Sequence, residues 1–156
     1  MHILYYLEEF PKISETFILN EIYALEQAGH TVSVFALSQG ENPSLHPEFE
    51  ELEAAITYPG KLTYDDLFGL FTSTTIQTRK AVSQFARNPS VRELATLART
   101  RQCVEFVTSL YSKIDVIHTH FATREKSACA RVASYFDIPF TVTTHAFDIY
   151  READSW

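Results

Sequence analysis

Glycine is scarce in this chain of 156 residues, with four in all, and none lies between Met1 and Gly29. A glycine-rich loop cradling a phosphate between the first strand and the first helix is thereby excluded. Cysteine is nearly absent. Cys103 and Cys129 both fall in helix-like patterns without metal-type spacing, so reduced packing thiols are expected in place of a bridge or a thiolate cluster. Basic side chains are outnumbered, thirteen against twenty acidic ones, and the net charge of −7 gives a phosphate backbone no general reason to bind. Nucleic acid is not an expected partner. Long apolar runs are missing as well: the longest stretch without a charge, Gln27 to Gly40, has fourteen residues, whereas a spanning helix needs about 20 apolar ones. The amino end, MHILYYLEEF, carries no basic leader or small-residue cleavage site, so the expected location is the cytoplasm.

What is present is an ordinary globular mixture, 46% apolar and 13% aromatic. At this length one unit buries roughly 70% of the surface its unfolded chain exposes, enough for a core without staples. Residues 2 to 6 (HILYY) read as a buried strand ending at Glu8 and Glu9 and continued by a loop through Pro11. From Ser14 the period changes. Ile18, Ile22 and Leu25 recur at helical spacing, with Ser14 or Thr16 as the expected N-cap and Gly29 as the stop. Thr31 to Leu37 (TVSVFAL) is a second strand, and a strand–helix–strand crossover of some thirty residues makes parallel neighbours covered by helices on both faces. Ser38 to Gly60 holds five glutamates and no Lys or Arg, an exposed acidic excursion with a short strand over Ile56 to Tyr58.

Residues 64 to 113 read as two helical pieces parted near Asn88-Pro89, the second with a core stripe of Leu94, Leu97, Ala98, Val104, Val107 and Leu110. Between positions 79 and 101, Arg79, Lys80, Arg87, Arg92, Arg99 and Arg101 face only Glu93. Two readings stay open, a solvated helix face or docking on an anionic membrane surface or acceptor lipid. A strand (Val116 to His120), a helix (about Thr123 to Phe136) and a strand (Phe140 to Thr144) form a second crossover, completing an α/β doubly wound parallel sheet. The chain halts at YREADSW without a turn or cap, and a domain cut short is expected.

In an open parallel sheet, ligands bind beyond the carboxyl ends of the strands where strand order reverses. That rule selects Glu8 to Thr16, His120 with Phe121, and His145 to Asp148. His118-Thr119-His120 puts two imidazoles on one strand face, about 7 Å apart along the backbone. A zinc hydrolase would need a third ligand, and Phe121-Ala122-Thr123 stands where such enzymes commonly add an Asp-His pair, so histidines lining the cleft are favoured over a catalytic metal. Ser14 and Thr16 can either cap the helix or offer hydroxyls, beside free N–H groups, to an oxyanion or a sugar. His145 can hydrogen-bond a hydroxyl or exchange a proton near neutral pH, with Asp148 orienting it or capping the next stretch of chain.

These residues carry a resemblance. FPKISETFILNEIYALEQAGHTVSVFAL at 10 to 37, DVIHTHFAT at 115 to 123 and PFTVTTHAFDIYRE at 139 to 152, about a third of the chain, resemble the amino-terminal half of family 4 glycosyltransferases, most of all those building exopolysaccharides of the colanic-acid kind. The resemblance implies a GT-B architecture of two Rossmann-like domains, of which residues 1 to 156 are the amino-terminal, acceptor-side one. A carboxyl-terminal domain absent from this chain would hold most of the nucleotide-sugar donor. It further implies transfer of a hexose to a glycan or lipid-linked acceptor with retention of configuration, no cofactor and no metal, because basic residues of the second domain neutralise the leaving diphosphate. His145 matches the family's active-site histidine and is the expected catalytic residue. Ser14, Glu15, Thr16, His120, Phe121 and Asp148 are the expected substrate contacts. The chain alone is expected to be inactive, and the alternative is a natural half-protein that binds without catalysing.

Overall fold

The computed structural model describes residues 1–40, 47–72, 90–110, 112–123 and 126–146. Strand β1 (His2–Phe10) is buried at every position from His2 to Leu7, as a strand covered on both faces must be. It runs through Glu8 and Glu9, which the charge pattern assigns to a loop. Pairing with β2 (Thr31–Gln39) continues to Glu9–Ser38 and Phe10–Gln39, because carboxylates at the open end of a strand reach water without breaking the ladder.

A 3-10 turn, Ile13–Glu15, precedes α1 (Thr16–Gln27). Neither Ser14 nor Thr16 is the cap. Glu15 occupies that position without a side-chain capping bond, since the chain enters through a tight turn closed by the Glu15 N–H on the Lys12 carbonyl at 2.9 Å. Gly29, at φ +83°, ends the helix, with the His30 N–H returning to the Leu25 carbonyl. Gly40 comes after β2 at a place where a Cβ would stand 1.9 Å from the Pro11 carbonyl oxygen, so only glycine lets the chain pass.

The acidic excursion contributes a single turn, α2 (Pro47–Glu50), and β3 (Ala55–Thr57), one residue earlier than its pattern suggests. Helices α3 (Tyr64–Thr72) and α4 (Val91–Ser109) come next. At the start of α4 the Ser90 hydroxyl accepts the Glu93 N–H at 3.0 Å, a Ser-x-x-Glu capping arrangement. β4 (Val116–His120) matches its expected span, α5 (Ser127–Phe136) begins four residues after Thr123, and β5 (Phe140–Thr143) stops one residue short of Thr144.

All strand pairs are parallel, in the order β3-β2-β1-β4-β5. The sheet is Rossmann-like and doubly wound, and its order reverses between β1 and β4. Alternation along β1 divides the core in two. Ile3, Tyr5 and Leu7 pack with Ile18, Leu19 and Ile22 of α1, whereas Leu4 and Tyr6 pack with Cys103 and Val107 of α4 and Ala128, Cys129 and Val132 of α5. Both cysteines are free and buried there, as packing thiols, and burial pushes the Cys129 thiol up to about 12.

Of the basic stretch, Arg99 donates to the Gly60 carbonyl at 2.6 Å, and Arg101 pairs with Glu105 at 2.9 Å and reaches carbonyls of α3. Those two guanidiniums are engaged within the fold, while Arg79, Lys80 and Arg87 lie outside the described residues. No helix among the described residues is long and apolar enough to cross a membrane.

Candidate functional site

The reversal between β1 and β4 opens a cleft of about 430 Å³ lined by Glu8, Glu9, Lys12, Ser14, Glu15, His120, Phe121, Thr123 and Lys126, over an apolar floor of Leu7 and Ile18. Its charges are paired across elements. Glu8, at the end of β1, accepts from the Thr123 hydroxyl at 2.8 Å and lies 3.3 Å from the Lys126 ammonium. Lys126 is buried, and burial lowers its pKa, an effect opposed by Glu8. Lys12 and Glu15 meet at 2.5 Å on the opposite lip. Alternating carboxylates and ammoniums beside hydroxyls suit a ligand rich in hydroxyl groups, each of which both donates and accepts.

Behind this cleft, three imidazoles meet. His118 and His120 share one face of β4, their ring centroids 4.9 Å apart. Both turn toward Glu21 of α1: His118 Nε2 lies 3.9 Å from Oε1 and His120 Nε2 lies 3.4 Å from Oε2. Tyr5, one strand over, donates to Glu21 Oε1 at 2.5 Å. Burial lowers the pKa of both histidines, partly offset by the Glu21 carboxylate, and raises that of the Tyr5 phenol together with its hydrogen bond to Glu21. His118 Nδ1 contacts the Thr141 hydroxyl at 2.8 Å, and His120 Nδ1 contacts His145 Nε2 at 3.2 Å.

His145 stands just past β5, half-buried, with its ring 4.3 Å from that of Phe121 and 5.0 Å from that of Phe17. Phe121 itself adopts φ +62°, a left-handed conformation that costs a bulky residue of order 1–3 kcal/mol and here turns the chain off β4 at the rim. The Phe121 N–H still reaches the Thr143 carbonyl at 2.9 Å, so the ends of β4 and β5 are tied together as the chain turns.

The expected site residues therefore do not all meet in one place. Ser14, Glu15, His120 and Phe121 line the cleft. His145 does not line it but touches it through His120 and Phe121. Thr16 is exposed outside the lining, and Asp148 lies outside the described residues. Glu8, which the strand-end rule selects, is joined by Glu21, Lys126 and Phe17, and nothing in the sequence analysis singles out these three as site residues. A signal exists for two of them: Phe17 and Glu21 stand at i and i+4 on α1, hence on one helical face, and that face meets His120. Lys126 and Glu8 are 118 residues apart in sequence, and their pairing is visible only in the fold.

Over 51 residues the chain is 39% identical to a Salmonella typhimurium protein named for colanic acid biosynthesis, the glycosyltransferase WcaL, a match covering 33% of this chain and 13% of that relative. Among solved structures, the carboxyl-terminal domain of PF1911 hydrogenase from Pyrococcus furiosus superposes with a TM-score of 0.51 at 14% identity, over 91% of this chain and 89% of its own. This is a likeness of fold alone. CalG4, the calicheamicin glycosyltransferase, aligns with a TM-score of 0.49 at 17% identity, over 92% of this chain and 32% of that one. A doubly wound sheet hosts many chemistries and by itself names none. The sequence profile of Glycosyltransferase Family 4, however, matches residues 14–156, taking in the helix entry at Ser14, the histidine strand and His145 together, and on that ground the chain belongs to Glycosyltransferase Family 4.

Proposed function

We propose that this chain is the acceptor-side domain of a retaining glycosyltransferase that moves a hexose from a nucleotide-sugar to a glycan or lipid-linked acceptor. In this reading a carboxyl-terminal domain holds the donor, and basic residues there, with no metal or cofactor, neutralise the leaving diphosphate. The name of the Salmonella relative directs the substrate class toward exopolysaccharide.

The observation that carries the reading is the juxtaposition at the switch point. A cleft with carboxylates, two lysines and hydroxyls lies against the His120–His145 pair, at the edge where a second domain would close over the sheet. Acceptor hydroxyls would bridge Glu8, Glu15 and Lys12, each of which presents an atom to the cleft. His145, held between Phe17 and Phe121 and contacted by His120, would position the transferring sugar by hydrogen bonding. The test is sugar transfer by the full-length enzyme, read by mass spectrometry of the glycosylated acceptor lipid. His145→Ala is expected to cut turnover by roughly 10²-fold, with the acceptor still bound. Unchanged turnover would remove His145 from the site.

A further inference from the structure

We infer that Glu21, His118 and His120 together form a binding site for one divalent transition-metal ion of the zinc class. Sequence alone supplies two imidazoles at i and i+2 and no third donor; α1 delivers the third. One ligand atom from each residue lies within 4.8 Å of the others. In a tetrahedral zinc site, donors at 2.0–2.2 Å from the ion are roughly 3.4 Å from one another. The separation from His120 Nε2 to Glu21 Oε2 is already 3.4 Å; His118 Nε2 approaches the other oxygen, Oε1, at 3.9 Å, so the carboxylate would have to turn to present one oxygen to both rings.

Two further features point to an ion. Metal-bound histidines characteristically use one ring nitrogen for the metal and anchor the other on an outer partner, and His120 shows that division fully, His118 in part. Both Nδ1 atoms turn outward, to the Thr141 hydroxyl at 2.8 Å and to His145 Nε2 at 3.2 Å; His120 Nε2 faces the carboxylate, whose Oε1 is fixed by Tyr5, and His118 Nε2, 3.9 Å from that carboxylate, rests 3.3 Å from the Thr143 hydroxyl, a contact it would exchange for the ion. The second feature is His120 Nε2 itself. The side chain is 1% exposed, and this atom makes no aligned hydrogen bond, although it points at an anion. A buried ring nitrogen without an aligned partner is costly, and a cation between it and Glu21 removes the cost. Glu21 is 40% exposed, which gives an ion a path in from solvent. Two imidazoles and one carboxylate select zinc, cobalt or nickel over magnesium and calcium, which prefer all-oxygen sets.

Such an ion would pin α1 to β4. It would also leave the His120 proton on Nδ1, so that His145 Nε2 accepts from it. This last consequence rests on the reading of His145 given above; binding of the ion does not.

The experiment is zinc titration of the full 156-residue chain by calorimetry after dialysis against a chelator, with cobalt absorption and imidazole 15N NMR in parallel. The expected result is one equivalent of zinc per chain, a four-coordinate cobalt spectrum, and a shifted Nε2 on two of the six histidines. Glu21→Gln keeps an acceptor for Tyr5. It and His118→Asn should each weaken zinc by at least the 10- to 100-fold that loss of even an outer-shell partner costs. His30→Gln, which removes the imidazole near the terminal amine, should leave affinity unchanged. Absence of saturable binding, or binding that responds to His30→Gln and not to Glu21→Gln, overturns the inference. The NMR readout on the unaltered chain stands even if a variant fails to fold. A chain that binds zinc while its full-length enzyme transfers no sugar would refute the glycosyl-transfer reading and leave this one intact.

Discussion

The two ends of the sheet treat histidine in opposite ways. At the amino ends of the strands, His2 is buried with both ring nitrogens occupied by hydroxyls, Nε2 by Ser33 at 2.8 Å and Nδ1 by Ser112 at 2.7 Å, and its backbone is clasped on both sides by Asp115. At the carboxyl ends, His120 contacts both His118 and His145, His118 and His120 face Glu21, and His120 Nε2 makes no aligned hydrogen bond. The first arrangement is closed, so it can only stabilise. The second retains hydrogen-bonding capacity, as does the open cleft beside it, and capacity left over by the fold is what a ligand uses.

The sharpest way to break this contrast is to delete one imidazole from each end. His145→Ala in the full-length enzyme should lower turnover by roughly 10²-fold with little change in melting temperature. His2→Ala should do the reverse, losing stability while turnover per folded molecule is kept. Equal effects on both quantities at both ends would abolish the distinction. Next in size, Ser33→Ala leaves His2 Nε2 without a partner in the interior and should cost about 1–3 kcal/mol in urea unfolding. Thr141→Val, which removes the corresponding hydroxyl from His118, should cost less, because Thr141 is exposed and water can take its place.

The contrast also has a pH signature. Burial and the terminal amine hold the His2 pKa below its ordinary 6.5, opposed by Asp115 and by its contact with Ser112. With the folded value lowered, the unfolded chain takes up the proton first. The contribution of His2 to stability is therefore complete above pH 6.5 and is lost as pH falls through the window below it. Urea midpoints for the chain and for His2→Gln should converge on going from about pH 7.5 to about pH 5.5. A gap between them that widens on acidification would show His2 to be charged in the fold.

How far these ends are legible in the sequence differs for a physical reason. Strand β4, the crossover units and both buried cysteines emerge from apolar period and spacing, which are local properties of the chain. Glu8 and Glu9 mislead because charge argues for a loop, yet the last residues of a central strand emerge at the rim, where charge is tolerated. Ser14 and Thr16 mislead because they have the chemistry of cap residues at a place where a 3-10 turn already feeds the helix. The histidine pair and His145 stand out by motif. Glu21 and Lys126 do not, since each matters through partners about a hundred residues away, and such contacts are created only when β1, β4 and β5 come together.

The smallest effect on stability is expected at the residue that joins the two halves of the site. Phe121 has φ +62°, and a glycine there would relieve a strain of order 1–3 kcal/mol. Phe121→Gly also removes a half-buried ring from contact with Phe17 and His145, forfeiting about 1–2 kcal/mol of apolar burial, and it loosens the chain when unfolded. The two contributions nearly cancel, so unfolding free energy should move by no more than about 1 kcal/mol in either direction. Turnover should not be spared, because the ring is one wall of the box holding His145, and it should fall toward the His145→Ala level. If Phe121→Gly instead destabilises like the loss of a core phenylalanine, about 3–5 kcal/mol, the carboxyl rim is as closed as the amino end, and the unusual backbone serves packing alone.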